Sequence, residues 1–93
     1  MEEFVIVRCR NAGVHMGFLV EFSGQYVCLR DARRLWKWEG AFTLNEVATQ
    51  GCAESSHISA PVPKIYLLEA CEVIPCLDQK VIANLRRTRN NAT

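Results

Sequence analysis

The chain is a succession of short β-branched and aromatic runs, each closed within a few residues by turn chemistry, and that punctuation constrains its fold most. Glu3-Phe4-Val5-Ile6-Val7-Arg8-Cys9 predicts a first strand, and Arg10-Asn11-Ala12-Gly13 predicts the turn that follows it. Val14 to Phe22 and Gln25 to Arg30 are two further runs separated by Ser23-Gly24, a spacing that predicts a β-hairpin. Gly17 interrupts the second run, where a missing side chain signals a bulge or the close approach of another group.

Beyond Asp31-Ala32 the period-2 pattern resumes. If Arg33 to Glu39 is extended, Arg34, Trp36 and Trp38 share one face, while Arg33, Leu35, Lys37 and Glu39 share the other. Thr43-Leu44-Asn45-Glu46 has the spacing of a capping box and predicts a short helix with Leu44, Val47 and Ala48 inward and Gly51 as its stop. The Ser-rich stretch 52–63 predicts a loop with one extended piece at His57-Ile58. Lys64 to Leu68 and Glu72 to Ile74 predict two more strands, the second closed by Pro75, with Glu69-Ala70-Cys71 between them as a bulge or as more strand. Residues 78–89 predict a C-terminal helix with Val81, Ile82 and Leu85 on an apolar stripe, and 90–93 a frayed tail. The expected fold is therefore α+β: one small, β-dominated domain over 1–93. It has five to seven mostly antiparallel strands in a curled sheet or open barrel, one short internal helix and a C-terminal helix.

At 93 residues the chain buries roughly 60–65% of its unfolded surface, enough for one thin core. Oligomerisation thickens such a core. The five cysteines contain no Cys-x-x-Cys pair, which argues against a zinc ribbon, and Cys9, Cys28 and Cys71 fall in apolar runs where a reduced thiol acts as a small hydrophobe. A reducing compartment is expected. No apolar run approaches the roughly 20 residues of a membrane span, and the opening Met1-Glu2-Glu3 is unlike a secretory signal.

The net charge of +1 conceals a segregation: residues 1–40 sum to +1, 41–76 to −3 and 77–93 to +3. Arg30, Arg33, Arg34 and Lys37 lie within eight residues, interrupted by Asp31 alone among the acids. Arginine forks grip phosphate and indole faces stack on bases, so Arg33, Arg34, Trp36 and Trp38 are candidate ligand-binding residues. Arg10, Asn11 and His15, around the first turn, add donors for an anion. The same tryptophans and arginines also suit a core or an interface, with about equal weight. Glu54-Ser55-Ser56-His57 brings acid, hydroxyl and imidazole together, but a catalytic triad assembles from separate elements, so no catalytic residue is assigned. Nothing resembles a phosphate-binding loop, a metal motif or a cofactor motif. The basic Arg86-Arg87-Thr88-Arg89 suits a helix C-terminus or weak, salt-sensitive contact with a phosphate backbone.

Several segments together resemble a family of small tailed-bacteriophage proteins. They are Asp31-Ala32-Arg33-Arg34-Leu35-Trp36-Lys37-Trp38-Glu39-Gly40-Ala41, Leu44 to Ala48 with Gly51, Pro61-Val62-Pro63 with Ile65 and Leu67, Glu69-Ala70, Glu72 to Cys76, and Gly13 to Gly17. The resemblance covers 3–77, and Ala-Arg-Arg-Leu-Trp is its most specific part. It implies expression in the cytoplasm of a bacterial host. Phage proteins of this size with basic, aromatic-lined pockets include the viral sponges that sequester cyclic nucleotide signals made by CBASS and Thoeris defences, and the chain is similar to these in site chemistry.

The leading expectation is a non-enzymatic binder of a cyclic nucleotide second messenger, either a cyclic dinucleotide or a cyclic ADP-ribose derivative. In it Arg33 or Arg34 neutralises phosphate, Trp36, Trp38 or both cover a base, and His15 or Asn11 reads a polar edge. The partner set is completed by a second copy, in a homo-oligomer, with no membrane. The alternative is a protein interaction module, either a virion accessory or an inhibitor of a host protein. A nonspecific nucleic-acid binder comes third.

Overall fold

A computed structural model of the chain describes residues 3–38, 43–53 and 56–87. The expectations for Met1-Glu2, for Glu39 to Phe42, for Glu54-Ser55 and for 88–93 lie outside the described residues.

Six strands, β1 (Phe4–Cys9), β2 (Val14–Ser23), β3 (Tyr26–Lys37), β4 (His57–Ile58), β5 (Val62–Leu67) and β6 (Ala70–Cys76), combine with helices α1 (Leu44–Gln50) and α2 (Gln79–Leu85). The strands form an open, mostly antiparallel sheet in the order β4-β3-β2-β1-β6, with β5 also paired to β3. The α+β, β-dominated architecture is the expected one. No helix among the described residues is long and apolar enough to cross a membrane.

The apolar run of β1 is buried on both faces, which is why it lacks alternation. Phe4 and Ile6 face the helices and pack with Met16, Leu35, Leu44, Val47, Ile58, Val81 and Leu85. Val5, Val7 and Cys9 face a second cluster with Val27, Leu29, Ala32 and Leu67. Strands β5 and β6 lie apart in the sheet, yet Ile65 and Val73 both pack on this second cluster. The two-residue link Leu68-Glu69 joins those strands, so the sheet curls around the cluster without closing. Each fully buried Ile, Val or Leu stabilises this arrangement by about 1.5–3 kcal/mol.

The long third strand is where the expected break fails to occur. Arg33 to Lys37 do not form a new strand; they continue β3, because Asp31 is accommodated as a bulge. Met16 pairs with Arg33 and Phe18 with Arg30, so β3 spends one more residue than β2 at this point. Asp31 takes φ 53°, the left-handed conformation that a short polar side chain tolerates. Gly17 lies opposite, and a Cβ there would stand 2.9 Å from the Arg30 carbonyl oxygen and 3.1 Å from the Ala32 Cα. The hairpin turn falls on Gly24-Gln25, one residue later than the sequence suggests.

Both helices start on a side-chain cap. Thr43 Oγ1 accepts from the Glu46 N–H at 3.2 Å, and an Asp78 carboxylate oxygen accepts from the Lys80 N–H at 2.8 Å. The second helix ends at Leu85, shorter than the expected 78–89. It is clasped to the residue after α1's stop: Asn84 Nδ2 donates to the Cys52 carbonyl at 3.1 Å, and the Cys52 N–H donates to Asn84 Oδ1 at 3.0 Å. Gly51, at φ 79°, leaves room for that amide, because a Cβ there would lie 2.5 Å from Asn84 Oδ1.

Two local expectations are corrected. Pro75 lies within β6 and does not close it; among the described residues the strand pairs with β1 alone, so an edge leaves room for a residue lacking N–H. Cys71 is exposed, whereas Cys9, Cys28, Cys52 and Cys76 are buried. A bulge between Arg8 and Cys9 puts Ala70 opposite Cys9 and leaves Cys71 out of the ladder.

The bulge supplies a direct test. Gly17→Ala should destabilise the protein by about 3 kcal/mol in urea unfolding, because the added Cβ meets rigid backbone. Gly24→Ala should cost only about 1 kcal/mol, since it adds left-handed strain in open space. Equal losses would contradict the close approach at Gly17.

Candidate functional site

The bulge at Asp31 decides where the two adjacent arginines go. Cross-strand partners share a face, and Arg33 pairs with Met16 on the helix side. There its Nη1 donates to Asp31 Oδ2 at 3.2 Å, and Arg86 Nη2, from the end of α2, donates to the same oxygen at 2.8 Å. The Arg33 side chain is only 9% exposed, and its buried Nε has no hydrogen-bond partner among the described residues. Burial raises the Asp31 carboxyl pKa, but the Arg33 and Arg86 guanidiniums outweigh it and hold the group below its ordinary range. Arg33 is thus committed to an internal ion cluster.

Arg34 goes the other way. It pairs with His15, which pairs in turn with Val7 of the inner cluster, so both lie on the inner face of the sheet. The Arg34 side chain is exposed, and no carboxylate among the described residues is in ion-pair contact with it. Its Nη2 lies 3.0 Å from where a Cβ of Gly13 would stand, so the guanidinium packs over the β1–β2 turn. His15 is buried, with Nε2 2.9 Å from the Ala12 carbonyl oxygen. A donating Nε2–H leaves Nδ1 of the neutral ring as an acceptor. Burial pushes the His15 pKa below its ordinary value, and Arg34 adds to the shift while the Ala12 bond opposes it.

Arg34 and His15 border a recess of about 100 Å³ whose other walls are Ala32, Arg33, Ser59, Ala60, Val62 and Ile65. Ser59 fixes the rim: its Oγ accepts from the Arg34 N–H at 2.9 Å and donates to the Ala60 carbonyl at 3.1 Å. Two residues along β3, Trp36 is 55% exposed and meets the His57 ring edge-on at 4.6 Å. His57 Nδ1 is buried and has no hydrogen-bond partner among the described residues. The register of β3 against β4 shifts between Leu35 and Lys37, so Trp36 stands at a local break in the alternation.

The remaining candidates are placed elsewhere. Asn11 Nδ2 donates to Glu69 Oε1 at 2.9 Å, and the Arg10 N–H donates to the Glu69 carbonyl at 3.0 Å. These bonds tie the first turn to the β5–β6 link, with the Arg10 side chain exposed. Trp38 and Trp36 have different surroundings: β3 ends at Lys37 and Trp38 packs on the helix-side core, whereas Trp36 is exposed. It borders a second, open recess of about 370 Å³ with Arg8, Thr43, Leu44, Asn45 and Glu72. Arg8 and Glu72 are cross-strand partners, with Nε to Oε1 at 3.3 Å. Sequence reasoning missed Arg8, Asn45, Ser59 and Glu72. Period 2 along Phe4, Ile6 and Arg8 puts Arg8 on the helix side, but Glu72 enters only through the pairing of β6 with β1. Of the basic end, Arg86 is bound to Asp31, Arg87 Nε donates to the Asn84 carbonyl at 2.9 Å, and Arg89 lies outside the described residues.

Residues 2–83 match the family model described as Domain of unknown function (DUF6948), and the chain belongs to that family. No curated protein and no solved structure matches it.

The buried imidazole makes stability pH-dependent with a definite sign. Because the folded pKa of His15 lies below the ordinary 6.5, the unfolded chain takes up the proton first as pH falls. His15 therefore contributes stability that is complete above about pH 6.5 and lost as pH falls towards the folded pKa. Urea midpoints measured between about pH 7.5 and 5 should fall in the wild type and fall less in His15→Gln. An equal or steeper fall in the variant would contradict a neutral, buried His15.

Proposed function

We propose that this DUF6948-family protein is a phage-encoded, non-enzymatic binder that sequesters a cyclic nucleotide immune signal in the cytoplasm of its bacterial host. The signal is a cyclic dinucleotide or a cyclic ADP-ribose derivative. One observation carries the reading: Arg34 is exposed, without a carboxylate partner among the described residues, beside the buried imidazole of its cross-strand partner His15 and two residues before the exposed indole of Trp36. In this account the Arg34 fork holds a phosphate, His15 Nδ1 accepts from a polar edge, and Trp36 covers a base. Support for phage origin comes from the sequence resemblance centred on Ala32 to Trp36; the likeness to the signal sponges rests on analogy of site chemistry and on that origin.

Size argues for a second subunit. A recess of about 100 Å³ seats one phosphate and falls well short of the roughly 300–1,000 Å³ of pockets that enclose a whole ligand. The rest of the signal lies along Trp36 and against a symmetry-related copy, and a two-fold interface presents each Arg34 twice to a ligand with two phosphates. Arg33 contributes indirectly, by holding Asp31 and thereby the bulge that turns Arg34 inward. Arg10 and Asn11 are tied to Glu69 and do not line the recess, and Trp38 packs on the helix-side core.

Docking of a host or virion protein on Trp36 is the competing reading, since Trp and Arg are favoured at protein hot spots. Isothermal titration calorimetry against cyclic dinucleotides, cyclic trinucleotides and cyclic ADP-ribose isomers separates the two. We expect one signal to bind with a micromolar or lower Kd, and Arg34→Ala and Trp36→Ala each to weaken it by about tenfold or more, near 1.4 kcal/mol, without loss of folding. Absence of binding to every signal at micromolar concentrations would remove the proposal.

A further inference from the structure

The recess beside Trp38 lies on the helix side of the sheet, away from Arg34, and its residues have no role in the function proposed above. Arg8 extends the Phe4-Ile6 face of β1, and Glu72 of β6 stands opposite it in register. Trp38 supplies an indole packed against the helix-side core, and Asn45 supplies an amide from the first turn of α1. The volume of about 370 Å³ falls in the range of small-molecule sites.

The ion pair in this recess is a poor structural element. The Arg8 and Glu72 side chains are 57% and 47% exposed, and their contact of 3.3 Å uses one guanidinium nitrogen and one carboxylate oxygen. Such exposed pairs add little stability. What remains available is more informative: the terminal N–H groups of Arg8 and, on Glu72, the second oxygen together with the remaining lone pair of the first. A donor fork and an acceptor pair thus stand side by side next to an aromatic ring.

Guanine is the base whose edges complement that pair. Its N1–H and N2–H are adjacent donors, which a carboxylate accepts together, and its O6 and N7 are adjacent acceptors, which a guanidinium serves. Adenine and cytosine set their amino donor beside a ring acceptor that would face a carboxylate lone pair. Uracil has a single N–H on its pairing edge. We infer that the recess formed by Trp38, Arg8, Glu72 and Asn45 is a second ligand site that takes a guanine base. Trp38 stacks on the ring, Glu72 accepts from N1–H and N2–H, and Arg8 donates to the O6/N7 edge. No phosphate is needed, so the inference stands apart from the Arg34 site.

The test uses the full chain with Trp36→Phe, which leaves Trp38 as the sole indole, and titrates it with guanosine, inosine and adenosine. Guanosine should quench Trp38 emission saturably below about 1 mM, and inosine, which lacks the 2-amino group, should bind about tenfold more weakly. Adenosine should not saturate. Adding Glu72→Gln should abolish the preference for guanosine over inosine, and adding Arg34→Ala should leave the titration unchanged. The inference is overturned by absence of saturable quenching, by equal binding of adenosine and guanosine, or by a preference that survives Glu72→Gln. Because these ligands carry no phosphate, failure here leaves the Arg34 reading standing, and failure of that reading leaves this one.

Discussion

Opposite Gly17, the third strand carries one residue more than the second, and that extra residue, Asp31, sets the facing of everything after it. Before the bulge Val27 and Leu29 point into the inner cluster; after it Ala32, and not Asp31, takes the next inner position. Without the extra residue Arg33 would enter the inner cluster and Arg34 would lie against the helices. With it, Leu35 reaches the helix-side core and Arg34 emerges beside His15. The left-handed turn at Asp31 costs about 1–2 kcal/mol, and it is offset by the ion cluster its carboxylate forms with Arg33 and Arg86. That cluster also fastens the end of α2 to the sheet. Phe18 lies beneath it, with the Arg30 and Arg86 guanidiniums 4.8 and 5.1 Å from its ring centre.

The thinness of the chain shapes the rest. Two apolar clusters share one central strand, so β1 spends every side chain from Phe4 to Val7 on a core. Little is left to build a deep pocket. The structure instead offers shallow recesses where strand ends, a helix start and connecting segments meet. A small ligand there is held by a few polar groups and an indole, and a larger one needs a second surface. This is the physical reason for proposing that a larger ligand's site is completed between copies.

Local chemistry was readable wherever it was self-contained. Thr43 with Glu46, Gly51 as a stop, the hairpin near Gly24 and the missing side chain at Gly17 each report a backbone requirement satisfied within a few residues. The alternation of Arg33 and Arg34 correctly separated them, but not which of the two would be buried, because that depends on Asp31 being a bulge and not a break. Trp36 and Trp38 were placed together by a period that is broken where the β3 register shifts between Leu35 and Lys37 and that stops at the strand end. Glu72 beside Arg8, Ser59 beside Arg34 and the exposure of Cys71 follow from strand pairing across more than twenty residues. No pattern of neighbours along the chain encodes those contacts.

The central claim is that Arg34 is available to a ligand and Arg33 is not. Its most direct test is the rate at which phenylglyoxal modifies each arginine of the native protein, read by mass spectrometry of peptides that resolve the two positions. The account predicts rapid modification of Arg34 and strong protection of Arg33, with the protection lost on unfolding. Comparable rates at both residues, or faster reaction at Arg33, would contradict it.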